Sequence, residues 1–370
     1  DEAIEKIKNG ENYIIRFKSQ GREDRKIKHK DIIKGNIEFP ENDQDIVIIK
    51  ADGLPTYHFA HAVDDHLMRI THVIRGDEWV SSIPLHLELF KALGFKPPKY
   101  AHTATIMKDE DGNKRKISKR KDPDYHKEGI PEEAVVEYLL NIANSNFEPW
   151  RRANKEADIS EFVLELNKMS VSGAVFDMVK LLDVSKNVIS KFTAEKIYNE
   201  ALRWAQRYDK ELEKMFTENK EYAIRILNIE RGGNKPRKDI SKWSEIKYSI
   251  EYMYDDIFEK NTKYEFQKIT DKEEIESILK RYIKNHFNID DDKQTWFNKM
   301  KDLAEEEGYA REVKEYKAEP EKYKGHVGDI STVIRVALTG RCNTPDLYEI
   351  MQILGKNSIL KRIDKFCGGN

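Results

Sequence analysis

Cysteine is nearly absent from this chain. Only Cys342 and Cys367 occur in 370 residues, both near the end, and they form no C-x-x-C pair. That excludes a zinc ribbon and a disulfide framework, and no protein-bound zinc is expected. The chain fits a reducing, cytoplasmic compartment. Long hydrophobic runs are also missing. No apolar stretch approaches the ~20 residues of a membrane span, and no signal-peptide pattern opens the chain, so no membrane partner is expected. Charge of one sign is not in excess either. The formal net charge is −2 although 36% of residues are charged, so a polyanionic partner must meet local patches rather than a global field. No internal repeat of fixed period occurs. A length of 370 residues predicts two or three domains, and a hydrophobic content of 39% is enough to give each a core.

What is present has a clear order. Residues 1–45 read as a short helix, the strand "YIIRF" (13–17) and a turn-rich stretch. That piece is too small to fold alone. The opening "DEAIEKIKNGENYIIRFK" resembles the middle of a helix running into a strand, which predicts that the front of the chain is missing. From residue 46 apolar runs alternate with helical spacing. "IVIIK" (46–50), "ITHVI" (70–74) and "HTATIM" (102–107) read as strands. Helices from Tyr57 to Leu67 and from Ser82 to Gly94 separate them. Strand, helix, strand, helix, strand predicts half of a doubly wound parallel sheet. Such sheets bind ligand beyond the carboxyl ends of their strands. Chemistry is therefore expected after Lys50, Ile74 and Met107.

Beyond residue 128 helical periodicity takes over, at 159–168, 194–206, 219–230, 242–254, 271–283, 293–307, 329–338 and 345–354. Asp158 with Glu161, and Thr270 with Glu273, have the spacing of capping boxes. The fold class expected is α/β followed by all-α.

The stretch "KRKISKRK" (114–121) follows the third predicted strand. Six of its eight residues are basic, and Ile117–Ser118 interrupts them. A solvated basic loop and a nuclear-localisation address are the plain explanations. The alternative is a mobile cationic loop that closes over nucleotide phosphates, with a lysine, a serine hydroxyl and backbone N–H groups side by side.

"KISKR" (116–120) resembles the Lys-Met-Ser-Lys-Ser signature of class I aminoacyl-tRNA synthetases, in the form typical of glutamyl-tRNA synthetases. Four further stretches, in the right order, are similar to the same family. They are "DGLPTYHFAHAVDDHLMRITHVIRGDEW" (52–79), "LHLELFKALGFKPP" (85–98), "SGAVFD" (172–177), and "RVALTGR" (335–341) with "PDLYEIMQILGK" (345–356). The likeness is strong across 46–180 and 330–365 and weaker between 186 and 325.

The resemblance implies four parts. Residues 1–45 would be the end of the acceptor-binding insertion, and 46–110 the second half of a Rossmann-type catalytic domain. Residues 111–185 would hold the KISKR loop and a stem-contact domain, and 186–370 a helical anticodon-binding domain. It implies tRNA(Glu), glutamate and ATP with Mg²⁺ as substrates. A monomer is expected. Tyr57, His61 and Arg75 would bind glutamate, with Arg75 a carboxylate clamp, because a planar guanidinium pairs bidentately with a carboxylate. Glu78, Trp79 and the backbone of Ile106 and Met107 would border ATP. Lys116, Ser118, Lys119 and Arg120 would form the phosphate loop, with Lys119 at its centre and Lys116 and Ser118 beside it in catalysis. Arg335 and Arg341 would contact tRNA. Plainer roles stay open: a tyrosine packed under its own helix, a satisfied core histidine at position 61, an ion pair of Arg75 with Asp77 or Glu78, and surface charge at 335 and 341.

One departure stands out. The family's H-x-G-H element occurs nowhere in the 370 residues; "GHVGD" (325–329) is not it. The chain alone is therefore expected to bind tRNA without forming adenylate. A glutaminyl or dual-specificity synthetase and a non-catalytic tRNA-binding module are the rival readings. The helical C-terminal half disfavours the glutaminyl enzyme, which in bacterial types carries β-barrels.

Overall fold

The computed structural model describes residues 2–117, 124–233, 235–261 and 263–368. The chain divides into two compact units, Asp1–Asp122 with Val136–Lys180, and Pro123–Val135 with Leu181–Asn370.

In the first unit, helix α1 (Glu2–Lys8) buries none of its residues. Strand β1 (Ile15–Phe17) is followed by the hairpin of β2 (Lys26–Asp31) and β3 (Gly35–Pro40). β2 reads "KIKHKD", and its alternation places Ile27, His29 and Asp31 on the inner face. The hairpin turn is closed by Asp31, whose carboxylate accepts the N–H groups of Ile33 (2.9 Å) and Lys34 (2.8 Å). Gly35 at φ 77° completes it, a conformation that costs little without a Cβ. Then come β4 (Ile46–Ile49), α2 (Tyr57–Leu67), β5 (His72–Gly76), α3 (Ile83–Ala92) and β6 (Lys99–Thr103). A small core of Ala62, Leu89 and Phe90 joins α2 and α3, and Ile46, Ile48 and Phe17 pack against it.

The expected three-stranded parallel sheet is only partly formed. β5 and β6 pair in parallel, from His72 opposite Lys99 to Gly76 opposite Thr103. β4 instead pairs antiparallel with β1. Its run of branched residues is half-buried throughout. An apolar run specifies burial but not which strand lies beside it. The strand expected at 102–107 also breaks. β6 ends at Thr103, and a new strand, β7 (Met107–Glu110), forms a hairpin with β8 (Asn113–Lys116).

The helix expected at 159–168 is two single 3₁₀ turns, Ile159–Glu161 and Leu166–Lys168. The capping box of Asp158 and Glu161 is present. A box fixes only the first turn, and Val163 and Leu164 stay exposed, so no buried face propagates it.

The second unit is helical, as expected for 186–370. Its main helices are Ala194–Tyr208, Lys210–Glu218, Lys220–Leu227, Lys272–Arg281, Lys293–Glu306, Val327–Thr339 and Leu347–Phe366. One continuous core runs from Ile189 to Ile363 and includes Trp204, Phe216, Trp243, Tyr282 and Leu303. The cap predicted at Thr270 lies one residue later, where Asp271 accepts the Glu274 N–H. The last segment is two helices that meet at Gly355, whose φ of 76° and ψ of 164° are non-helical, so the helix expected at 345–354 closes there. Among the described residues no helix is long and apolar enough to cross a membrane.

Candidate functional site

The carboxyl end of β5 presents Arg75, half-buried. Three polar groups accept from its guanidinium. Nε donates to Nε2 of His102 (2.9 Å), Nη1 to Nδ1 of His86 (3.2 Å) and Nη2 to the Trp79 carbonyl (3.3 Å). An arginine only donates, so each histidine nitrogen facing it must be unprotonated. His102 therefore carries its proton on Nδ1 and donates to the Asp31 carboxylate at 2.6 Å. His86 carries its proton on Nε2 and donates to Nδ1 of His58 at 2.8 Å.

The protonation states agree with this geometry. Burial holds His102, His58 and His61 below the usual histidine range, and drives His86 down to about 2 with help from the charge of Arg75. Burial pushes Asp31 up, but the Lys34 N–H, the His102 ring, and the His102 and Ile33 N–H groups more than offset this and hold it low. The chain of contacts is thus carboxylate, neutral imidazole, guanidinium.

Among the described residues Arg75 makes no ion pair with a carboxylate. Asp77, one of its plausible partners, is engaged elsewhere. It accepts from Thr105 Oγ1 (2.7 Å) and pairs with Lys34 Nζ (3.1 Å), which also reaches the Val171 carbonyl (2.9 Å). Asp77 is held below the usual carboxylate range by the Thr105 hydroxyl and then Lys34, with a smaller contribution from Lys116.

Tyr57 opens α2 and is 53% exposed, so it is not packed away under its helix. Its ring lies 4.9 Å from that of Trp79, and it is among the groups that favour the charged form of Arg75 against burial. Tyr57, Trp79 and Arg75 lie together, with the Arg75 guanidinium 5.9 Å from the centre of the Trp79 ring. Arg75 also stacks over the ring of Tyr100 at 4.9 Å. His61 departs from the expectation. It is largely buried, with Nε2 at 3.1 Å from the Tyr100 hydroxyl and Nδ1 at 3.0 Å from the Asp65 carboxylate. Nε2 is hydrogen-bonded and Nδ1 lies beside the carboxylate, an arrangement that favours the packed-histidine alternative.

Glu78 folds back over Gly76. A Cβ at Gly76 would stand 2.1 Å from its Oε2, so the glycine is what lets the carboxylate lie there. Met107 also departs from the expectation. Its N–H donates to the Ala174 carbonyl (2.9 Å), and its carbonyl accepts from the Phe176 N–H (2.7 Å). The "SGAVFD" stretch thus holds the Met107 backbone, which leaves no N–H there for a base. Gly173 permits the approach, since a Cβ would meet the Thr105 carbonyl at 2.3 Å. The Ile106 carbonyl accepts only a long bond, 3.4 Å, from the Ile117 N–H. Lys116 ends β8 and is exposed. Ser118, Lys119 and Arg120 lie outside the described residues. No group of His, Cys, Asp and Glu among the described residues is arranged to hold a metal ion.

In the second unit Arg335 is tied internally. Its Nη1 donates to the carbonyls of Thr344 (3.1 Å) and Pro345 (2.7 Å) and contacts the Thr344 hydroxyl. It pins the loop between two helices, so a direct tRNA contact is not supported. Arg341 pairs with Glu251 (3.1 Å) and lies 4.0 Å over the ring of Tyr248, which is 68% exposed.

Sequence reasoning missed Asp31, His86 and His102. A signal existed: His102 is the direct parallel partner of Arg75 in the β5–β6 register. A histidine inside an apolar strand, opposite an arginine, is a polar pair that must be satisfied.

A family model described as tRNA synthetases class I (E and Q), catalytic domain, matches residues 1–183, and one described as an anticodon binding domain matches 210–367. The two matches define the class: a class I tRNA synthetase catalytic domain followed by an anticodon-binding domain. A glutamate–tRNA ligase from Clostridium perfringens is 51% identical over 373 residues, covering 99% of this chain and 67% of that protein. One from Acetivibrio thermocellus is 48% identical over 370 residues, covering 99% and 67%. The chain belongs to the glutamate–tRNA ligase family. It spans about two thirds of the length of these relatives. A crystal structure of a glutamate tRNA ligase from Elizabethkingia meningosepticum in complex with its amino acid aligns at TM-score 0.72 and 24% identity. It covers 99% of this chain and 70% of that one, a likeness of fold.

Proposed function

We propose that these residues serve a glutamate–tRNA ligase that activates glutamate with ATP and Mg²⁺ and transfers it to tRNA(Glu). The observation that carries this reading is Arg75. It is a half-buried cation whose three hydrogen-bond acceptors are a carbonyl and two neutral imidazoles. Its charge is left for an incoming carboxylate, which it can grip through paired N–H groups. Tyr57 supplies a hydroxyl beside it, and Trp79 and Tyr100 exclude water around it. Glu78 and Trp79 border the nucleotide. Lys116, Ser118, Lys119 and Arg120 form the loop that closes on the phosphates and neutralises the charge that builds as pyrophosphate leaves. ATP arrives with its Mg²⁺.

The second unit grips the tRNA. The exposed Tyr248 ring under Arg341 suits stacking of an unpaired base. The protein acts in the cytosol as a monomer. Because the 370 residues contain no H-x-G-H, they bind tRNA by themselves without activating glutamate. Aminoacylation by the intact gene product tests the reading: tRNA(Glu) is charged with glutamate. Charging with glutamine on a glutamine-type tRNA would assign the rival synthetase. Robust glutamate-dependent ATP–pyrophosphate exchange by the 370 residues alone would overturn the division of labour.

A further inference from the structure

The geometry points to Asp31 and His102 as a positioning pair that sets the plane and the charge of Arg75. The inference rests on Arg75 being the carboxylate clamp, and it adds two residues that do not touch substrate.

Arg75 is anchored along one edge by its strand neighbour. In the parallel register His102 lies directly across from it, and the Nε–H to Nε2 bond is 2.9 Å. That bond exists only in one tautomer. If the proton moved to Nε2, two N–H groups would face each other and the guanidinium would have to turn. Asp31 prevents this. Its carboxylate, fully buried with the histidine, sits 2.6 Å from Nδ1 and keeps the proton there.

Asp31 is in turn fixed by three backbone N–H groups, those of Ile33, Lys34 and His102. Two of these belong to the β2–β3 turn. The hairpin in the first 45 residues is thereby wired to the clamp on β5. The pair also solves an electrostatic problem. A carboxylate touching Arg75 directly would neutralise it and compete with substrate. Placed one imidazole away, the Asp31 charge stabilises the cation without occupying the guanidinium N–H groups that His102, His86 and the Trp79 carbonyl leave over.

The test compares substitutions in the intact gene product by glutamate-dependent ATP–pyrophosphate exchange, with thermal midpoints recorded for each. His102→Phe removes the acceptor and should raise KM for glutamate by roughly tenfold or more, the worth of a hydrogen bond to a charged group, with KM for ATP unchanged. His102→Gln, whose amide oxygen can stand at the Nε2 position, should restore most of that loss. Asp31→Asn, which keeps the shape and removes the charge, should give an intermediate rise. Variants that lower the thermal midpoint yet leave KM for glutamate unchanged would assign the pair a purely structural role and overturn the proposal. Arg75→Lys is the control for the underlying reading. If it too leaves KM for glutamate unchanged, the clamp itself is wrong. If it raises KM while the His102 and Asp31 variants do not, only the positioning pair is wrong.

Discussion

Arg75 and His102 face each other across two parallel strands, and the guanidinium Nε donates to the imidazole Nε2 over 2.9 Å. That single bond fixes the tautomer of His102, while burial is the first cause that holds its histidine neighbours low. His58, His61, His86 and His102 all sit within the field of Arg75 and are all held neutral.

Acid sensitivity follows from the cluster. His86 is fully buried, and its imidazole is driven from an ordinary 6.5 to about 2 by burial and by His61, Arg75, His58 and His102. The unfolded chain takes up a proton near pH 6.5 and the folded one does not. Stability from this group is therefore complete above 6.5 and is lost as pH falls toward the folded value. One such histidine costs about 1.4 kcal/mol per pH unit, or about 2 kcal/mol between pH 6.5 and 5. Urea unfolding at pH 7 and pH 5 should show this loss, and His86→Asn should reduce it. Equal losses in both proteins would mean that His86 titrates normally.

Gly76 offers a way to move Glu78 without touching it. Its φ of −68° is open to any residue, and the three atoms nearest a Cβ there all belong to the flexible carboxylate of Glu78. Gly76→Ala should displace that carboxylate while leaving the thermal midpoint nearly unchanged. If Glu78 borders the nucleotide, KM for ATP rises severalfold and KM for glutamate does not. An unchanged KM for ATP removes Glu78 from the site.

The signature lysine makes a separate prediction. Lys119→Ala in the intact gene product should cut pyrophosphate exchange by about 100-fold or more, the usual cost of losing a donor that meets developing charge. Affinity for tRNA should change little. An unaltered exchange rate would take the loop out of the mechanism.

Much of this was legible in the sequence, for reasons visible residue by residue. Periodicity places Tyr57 at a helix start and Arg75 at a strand end, and the resemblance to the synthetase family is what singled them out together with Trp79. The helices of the second unit followed from the same period. What failed needed partners distant in sequence. Nothing local says that β4 pairs with β1, because "IVII" would suit any buried neighbour. Nothing near Met107 shows that residues 174–176 will take its backbone. His61 looked available because, although Asp65 lies one turn on along the same helix, Tyr100 reaches it only in three dimensions. Arg335 looked free for the same reason, until Thr344 and Pro345 folded back on it. Asp31 reads as a turn former, which it is; its second task appears only once β6 lies beside the turn.

The central claim is that Arg75 holds the substrate carboxylate, and Arg75→Lys tests it most directly. Lysine keeps the charge and loses the fork, the His102 bond and the His86 bond. Glutamate-dependent ATP–pyrophosphate exchange by the intact gene product should then show KM for glutamate raised by at least about tenfold, with KM for ATP within twofold of the parent by the same reasoning. A KM for glutamate indistinguishable from the parent would contradict the account.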